Sequence, residues 1–186
     1  MPLTLADQNV AILAANGFDE NQVTEIQRAL VRAKAHARIV SSETGVVNGW
    51  QGDGWGHYFN VDALIGEALG SDFDMLVLPG GERSTDKLKQ NLHTRRIVGH
   101  FVDANKPVAA IGSGVGLLAL VSNIAGRTVA AAPELRTGLE TAGINVGDLS
   151  QEIDGNLLTS TGEDLGAWVG EVLEFFADAD IIKRAA

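Results

Sequence analysis

Apolar residues in this chain fall into short unbroken runs, separated by stretches in which they recur every third or fourth position. Residues 9–14, 37–41, 74–78 and 107–111 are such runs, rich in Val, Ile, Leu and Ala. They suit strands of a parallel sheet covered on both faces. Residues 20–34 instead place Val23, Ile26, Ala29, Leu30 and Ala33 on one stripe and Glu25, Arg28 and Arg32 on the other, which predicts a helix with Asp19 as its N-cap. The same spacing predicts helices over 61–69, 88–104, 115–121, 134–142 and 163–176, the last carrying Trp168, Val169, Val172, Leu173 and Phe176. Residues 127–131 read as a further strand, and 152–160 as a hairpin turned at Asp154-Gly155. Strands alternating with helices predict an α/β fold, a doubly wound parallel sheet with right-handed crossovers. No repeat, low-complexity segment or linker divides residues 1–186, so one domain is expected.

Residues 42–59 break the alternation. They are rich in glycine and hold Trp50, Trp55, His57 and Tyr58, and the ends of the stretch alternate like two short strands of a hairpin. Aromatic groups with polar tips can line a ligand pocket or anchor a subunit interface, or the loop can fold over its own aromatics.

Two glycine turns follow apolar runs. Pro79-Gly80-Gly81 ends one, and Gly112-Ser113-Gly114-Val115-Gly116 ends another. In α/β sheets the carboxyl ends of central strands are where ligands and catalytic groups sit, so the turn at Gly112-Ser113 is the candidate site.

The run Pro107-Val-Ala-Ala-Ile-Gly-Ser-Gly114, preceded by Leu76-Val-Leu-Pro-Gly-Gly81 and Ala14-Ala-Asn-Gly-Phe-Asp19, resembles the ThiJ/PfpI family of the class I glutamine amidotransferase-like superfamily. The resemblance covers nearly the whole chain and implies a flavodoxin-like three-layer α/β/α sandwich with a small β-hairpin. It also implies a nucleophilic Cys at the strand-to-helix elbow, an acid after the first strand, and an oxyanion hole helped by the Pro79-Gly80-Gly81 turn. Here Gly112 holds the Cys position, Ser113 the His position after it, Gln22 that of the second carboxylate, and Ala132 that of a His before Pro133. The turn is also similar to the C-terminal domains of large-subunit catalases, which lack the Cys as well.

Composition narrows the chemistry. The chain has no cysteine, so disulfides, thiolate metal sites and thiol nucleophiles are excluded. His36, His57, His93 and His100 are scattered, and no metal or cofactor is expected. A net charge of −10 disfavours nucleic acid and anionic membranes as partners. The uncharged span 107–126 is long enough to cross a bilayer, but its Pro, Gly, Ser and Asn residues favour a strand, a turn and a buried helix. The polar opening, residues 1–8, lacks a signal-peptide pattern, which leads to the expectation of a cytoplasmic protein.

These features lead to a noncatalytic, stress-related ThiJ/PfpI-like protein that binds a small molecule or a partner. Its cleft is formed by Gln22, Gly80, Gly81, Gly112 and Gly114, with Trp50, Trp55 and His57 at the rim, and the resemblance implies a homo-oligomer, a dimer first. The alternative is a Cys-independent hydrolase or lyase, of amidase, glyoxalase or deglycase type, in which Ser113 is the nucleophile, the amides of Gly81 and Gly114 hold the oxyanion and His57 is the candidate base. A third reading is an assembly or stress-protective module with no pocket chemistry. Ser113 as a helix cap and Gly112 to Gly116 as a phosphate cradle are further readings of the turn.

Overall fold

The computed structural model describes residues 3–186; Met1 and Pro2, which open the polar segment 1–8, lie outside the described residues. In chain order, β1 (Asn9–Leu13) and the two-residue β2 (Phe18–Asp19) lead into α1 (Glu20–Arg32) and β3 (His36–Ser41). The hairpin β4 (Val46–Gln51) and β5 (Gly54–Asn60) follows, then β6 (Ala63–Leu64) and β7 (Met75–Leu78). Helices α2 (Glu82–Lys89) and α3 (Leu92–Asp103) precede β8 (Val108–Ile111), which runs into a 3-10 helix, Gly112–Leu120. The chain closes with β9 (Thr128–Val129), α4 (Arg136–Thr141), β10 (Asn145–Val146), the hairpin β11 (Gln151–Asp154) and β12 (Leu157–Ser160), and α5 (Leu165–Ala185).

Seven strands form the main sheet, in the order β11-β12-β8-β7-β1-β3-β6. Every neighbouring pair is parallel except β11 with β12, which supplies an antiparallel edge. Successive strand side chains point to opposite faces. Val10, Ile12, Met75, Val77, Ala109 and Ile111 therefore meet Val23 and Ile26 of α1 and Trp168, Val172 and Phe176 of α5. Ala11, Leu13, Leu76, Leu78, Val108 and Ala110 meet Leu88, Ile97 and Phe101 on the other face. The expected three layers follow from apolar strands that need cover on both sides.

Five elements differ from the sequence pattern. Residues 61–69 form no helix: Ala63 and Leu64 pair with Val40 and Ser41 as an edge strand, while the Asp62 carboxylate accepts from Ile39 N–H at 2.7 Å. Burial of Ile65 and Ala68 produced the helical spacing without helical backbone. The helix expected over 88–104 is two helices, because Asn91 leaves the helical conformation and its side chain caps α3 by accepting from His93 N–H at 2.9 Å. The expected helix over 115–121 winds as the 3-10 helix that starts at Gly112. β9 pairs with β10 in a separate two-stranded sheet rather than joining the main one. The last helix begins one residue after Asp164, which caps it, and extends nine residues beyond 176 to Ala185.

No helix among the described residues is long and apolar enough to cross a membrane, and the uncharged span 107–126 resolves into β8 and the short helical turns after it.

Trp168 is fully buried between α5 and the sheet, and its indole N–H has no partner among the described residues. Trp168→Ala is expected to cost about 3–5 kcal/mol, read as a shifted urea midpoint. Trp168→Phe, which keeps most of the apolar volume and removes the orphan donor, is expected to cost much less.

Candidate functional site

The carboxyl ends of β1, β7 and β8 bring three turns together. Gly112 adopts φ +56°, in the left-handed region, so the chain reverses sharply from β8 into the 3-10 helix. A Cβ placed on Gly112 would have no neighbour closer than Gln22 Nε2 at 3.6 Å and Gly80 Cα at 3.9 Å. The turn is thus sharp, and the space where a side chain would stand is open. Gly114 has a different role: a Cβ there would lie 2.2 Å from the Leu78 carbonyl oxygen, so its missing side chain lets the turn close against the end of β7. It is buried and supports the cleft from behind rather than lining it.

Gln22 lies in the first turn of α1, whose N-cap Asp19 accepts from Gln22 N–H at 3.0 Å. Its side-chain carbonyl accepts from Gly80 N–H at 2.7 Å, across 58 residues of sequence. That bond orients the amide, so Nε2 faces the Gly112 space with its two N–H donors. It also occupies the Gly80 N–H, which removes that donor from any oxyanion hole. A Cβ on Gly81, which adopts φ +106°, would fall 2.5 Å from the Gly17 carbonyl oxygen and 2.6 Å from the Asp19 amide nitrogen, so the turn is built for glycine.

Beside the elbow lies a cavity of about 210 Å³, lined by Gly112, Ser113, Thr85, Glu82, Asp86 and Lys89 among others. Ser113 Oγ accepts from the Thr85 hydroxyl at 3.2 Å. The base proposed for Ser113 is elsewhere. His57 Nδ1 is 2.5 Å from Glu20 Oε1, and His57 N–H donates to Glu20 Oε2 at 2.8 Å. Among the described residues, no imidazole or carboxylate bonds to Ser113 Oγ, so the serine has the neighbourhood of a structural hydroxyl rather than an activated one.

The aromatic residues of the hairpin take different places. Trp50 borders a second cavity, of about 310 Å³, together with Gly17, Gly81, Glu82 and Arg83. The Arg83 guanidinium lies over the Trp50 ring at 4.3 Å, and Trp55 meets Trp50 edge-on at 5.2 Å between centroids. Trp55 is 56% exposed and the His57 side chain 81%, and neither borders the elbow cavity.

Sequence reasoning missed Glu20. Its side chain is nearly fully buried, and burial opposes its ionisation. The ring, backbone amide and charge of His57 outweigh burial and hold the carboxyl below the ordinary glutamate range. The hairpin can approach this closely only because a Cβ on Gly56 would fall 1.7 Å from Glu20 Oε2. The signal was present in the glycines of β4 and β5, but nothing local connected them to residue 20. Among the described residues, no three His, Cys, Asp or Glu side chains converge as a metal site.

Residues 8–175 match the model of the DJ-1/PfpI family. A deglycase of Pyrococcus abyssi is 29% identical over 166 residues, 89% of this chain and 97% of that protein. General stress protein 18 of Bacillus subtilis is 31% identical over 169 residues, 89% of this chain and 96% of its own length. Among solved structures, a ThiJ/PfpI domain protein from Brachyspira murdochii superposes with a TM-score of 0.84 at 21% identity, covering 93% of this chain and 98% of that one.

A glutamate whose acidity is raised by folding stabilises the protein above its unfolded value of about 4.3 and loses that contribution as pH falls toward the folded one. Glu20→Gln is therefore expected to lower stability at neutral pH and to flatten the loss of stability below about pH 4.3, measured by urea unfolding across pH 3 to 7. Equal slopes in the two proteins would show that Glu20 carries no such linkage.

Proposed function

The chain belongs to the DJ-1/PfpI family, and on that premise we propose that it is a noncatalytic member whose elbow cleft binds a small molecule through hydrogen-bond donors instead of attacking it through a thiol. Cys-dependent chemistry needs a sulfur at position 112 and a carboxylic acid beside it to share a proton. Gly112 supplies no atom for the first role, and an amide at Gln22 cannot perform the second. The backbone that would aim the nucleophile is nevertheless kept, with its side-chain space open.

One observation carries the reading: Gly80 N–H fixes the Gln22 amide so that its N–H groups face the open space at Gly112. An amide donor at that place complements a carbonyl or carboxamide oxygen. The mixed lining of the neighbouring cavity, with Glu82, Asp86 and Lys89 beside the hydroxyls of Thr85 and Ser113, favours an uncharged polar ligand over a strongly charged one. The names of the relatives, deglycase and general stress protein, support a stress-related setting. The hydrolase alternative, built on Ser113, has no base within hydrogen-bond reach in its favour.

The test is turnover of a panel of activated esters and small dicarbonyls by wild type and by Ser113→Ala, prepared in parallel. Equal background rates are expected. A wild-type rate that falls a hundredfold or more in the variant, on the scale of losing a nucleophile, would sink the noncatalytic reading.

A second prediction concerns the elbow itself. Gly112→Cys is expected to lower stability by about 1–2 kcal/mol, the cost of a side chain in the left-handed region, and to leave the thiol unreactive toward a maleimide-scale electrophile relative to Gly112→Cys combined with Gln22→Glu. The comparison is a labelling rate against pH. Identical profiles for the single and double variants would show that Gln22 does not face the elbow.

A further inference from the structure

Next to the elbow cavity, and sharing only Glu82 with it, lies the cavity of about 310 Å³ bordered by Gly17, Trp50, Gly81, Glu82 and Arg83. Its volume sits at the small end of the range for small-molecule sites.

Three contacts hold one guanidinium at its edge. Helix α2 carries three cations, and two of them are paired: Lys87 with Glu43 at 3.1 Å and Lys89 with Asp86 at 3.7 Å. Arg83 makes no ion pair and donates no hydrogen bond among the described residues, yet it is not loose. Its stem packs on bare backbone at Gly17, where, at φ +91°, a Cβ would overlap the Arg83 Cβ. Its guanidinium lies over the Trp50 ring at 4.3 Å and 5.9 Å from the centre of the Trp55 ring. The Trp50 ring is itself fixed, because its indole N–H donates to the Gly52 carbonyl at 2.9 Å and Trp55 meets it edge-on.

Stacking uses the face of a guanidinium and leaves the N–H groups around its edge unused. An arginine that swings freely loses rotamer freedom when it closes on a ligand. Here much of that freedom is lost before any ligand arrives. A planar fork of donors matches a carboxylate, whose two oxygens accept in parallel. The Trp50 indole lines the same cavity and offers apolar surface beside the fork.

We propose that Arg83 and Trp50 form a second binding site, for a small organic acid whose carboxylate is held by the Arg83 fork and whose apolar body lies against the indole. A neutral amide of the same shape keeps the apolar contact and forfeits the charge-assisted pair. Glu82 tempers the affinity, since it borders the cavity without a cation partner among the described residues and repels an incoming anion. The site does not depend on the elbow and stands whether or not Gln22 holds a ligand.

The experiment titrates the full-length protein with benzoate, and with benzamide as the neutral counterpart, at low ionic strength, followed by amide and indole N–H chemical shifts. Saturable binding of benzoate is expected, with shifts centred on residues 17, 50–55 and 81–83. Benzamide is expected to bind roughly tenfold more weakly or worse, the scale of losing a charge-assisted pair. Arg83→Gln is expected to weaken benzoate by a similar factor, and Glu82→Gln to tighten it by about threefold. Because Arg83 also clasps the hairpin, Arg83→Lys guards against a folding defect: an ammonium can still sit over Trp50, but as a point charge it holds a carboxylate less well than the fork does. No saturable binding of benzoate, equal binding of benzoate and benzamide, full benzoate affinity in both Arg83 variants, no tightening in Glu82→Gln, or shifts centred on residues 112–114 would each overturn the proposal.

Discussion

The hydrogen bond from Gly80 N–H to the Gln22 carbonyl joins the three turns that make the cleft. It ties the first turn of α1 to the end of β7, and through the amide it fixes what faces the elbow after β8. One such bond contributes only about 0.5–1.5 kcal/mol, but its geometric effect is larger than its energy. Without it the Gln22 side chain would be free to turn either its donor or its acceptor toward Gly112. With it the cleft has one polarity. The Glu20 carboxylate, two residues earlier on the same helix, makes a parallel attachment to the hairpin, so α1 anchors both the floor of the cleft and the aromatic hairpin beside it.

Much of this was readable in advance, for a physical reason. A strand covered on both faces must be apolar at every position, so β1, β7 and β8 stood out as unbroken runs, and the glycine turns marked where they end. The elbow could be found because a positive φ there selects glycine or a tolerated strain. The errors have equally local causes. Residues 61–69 imitate a helical stripe because Ile65 and Ala68 are buried from an irregular segment, and spacing does not report backbone conformation. The break at Asn91 was hidden because apolar positions continue in phase across it, although Asn is a good cap.

The partnership of Glu20 with His57 was out of reach for a different reason. It joins residues 37 positions apart through a side chain that is nearly fully buried and a backbone amide that any residue supplies. Only the excess of glycine in the hairpin hinted that something had to come close.

The conformation of Gly112 also sets a thermodynamic asymmetry. Any residue with a side chain held at this positive φ would store strain that the surrounding fold must sustain. Glycine makes the same turn without it, so a nucleophile placed at position 112 would weaken the fold before it could do any chemistry. The turn as it stands keeps its shape free of that strain and leaves the space beside Gln22 open.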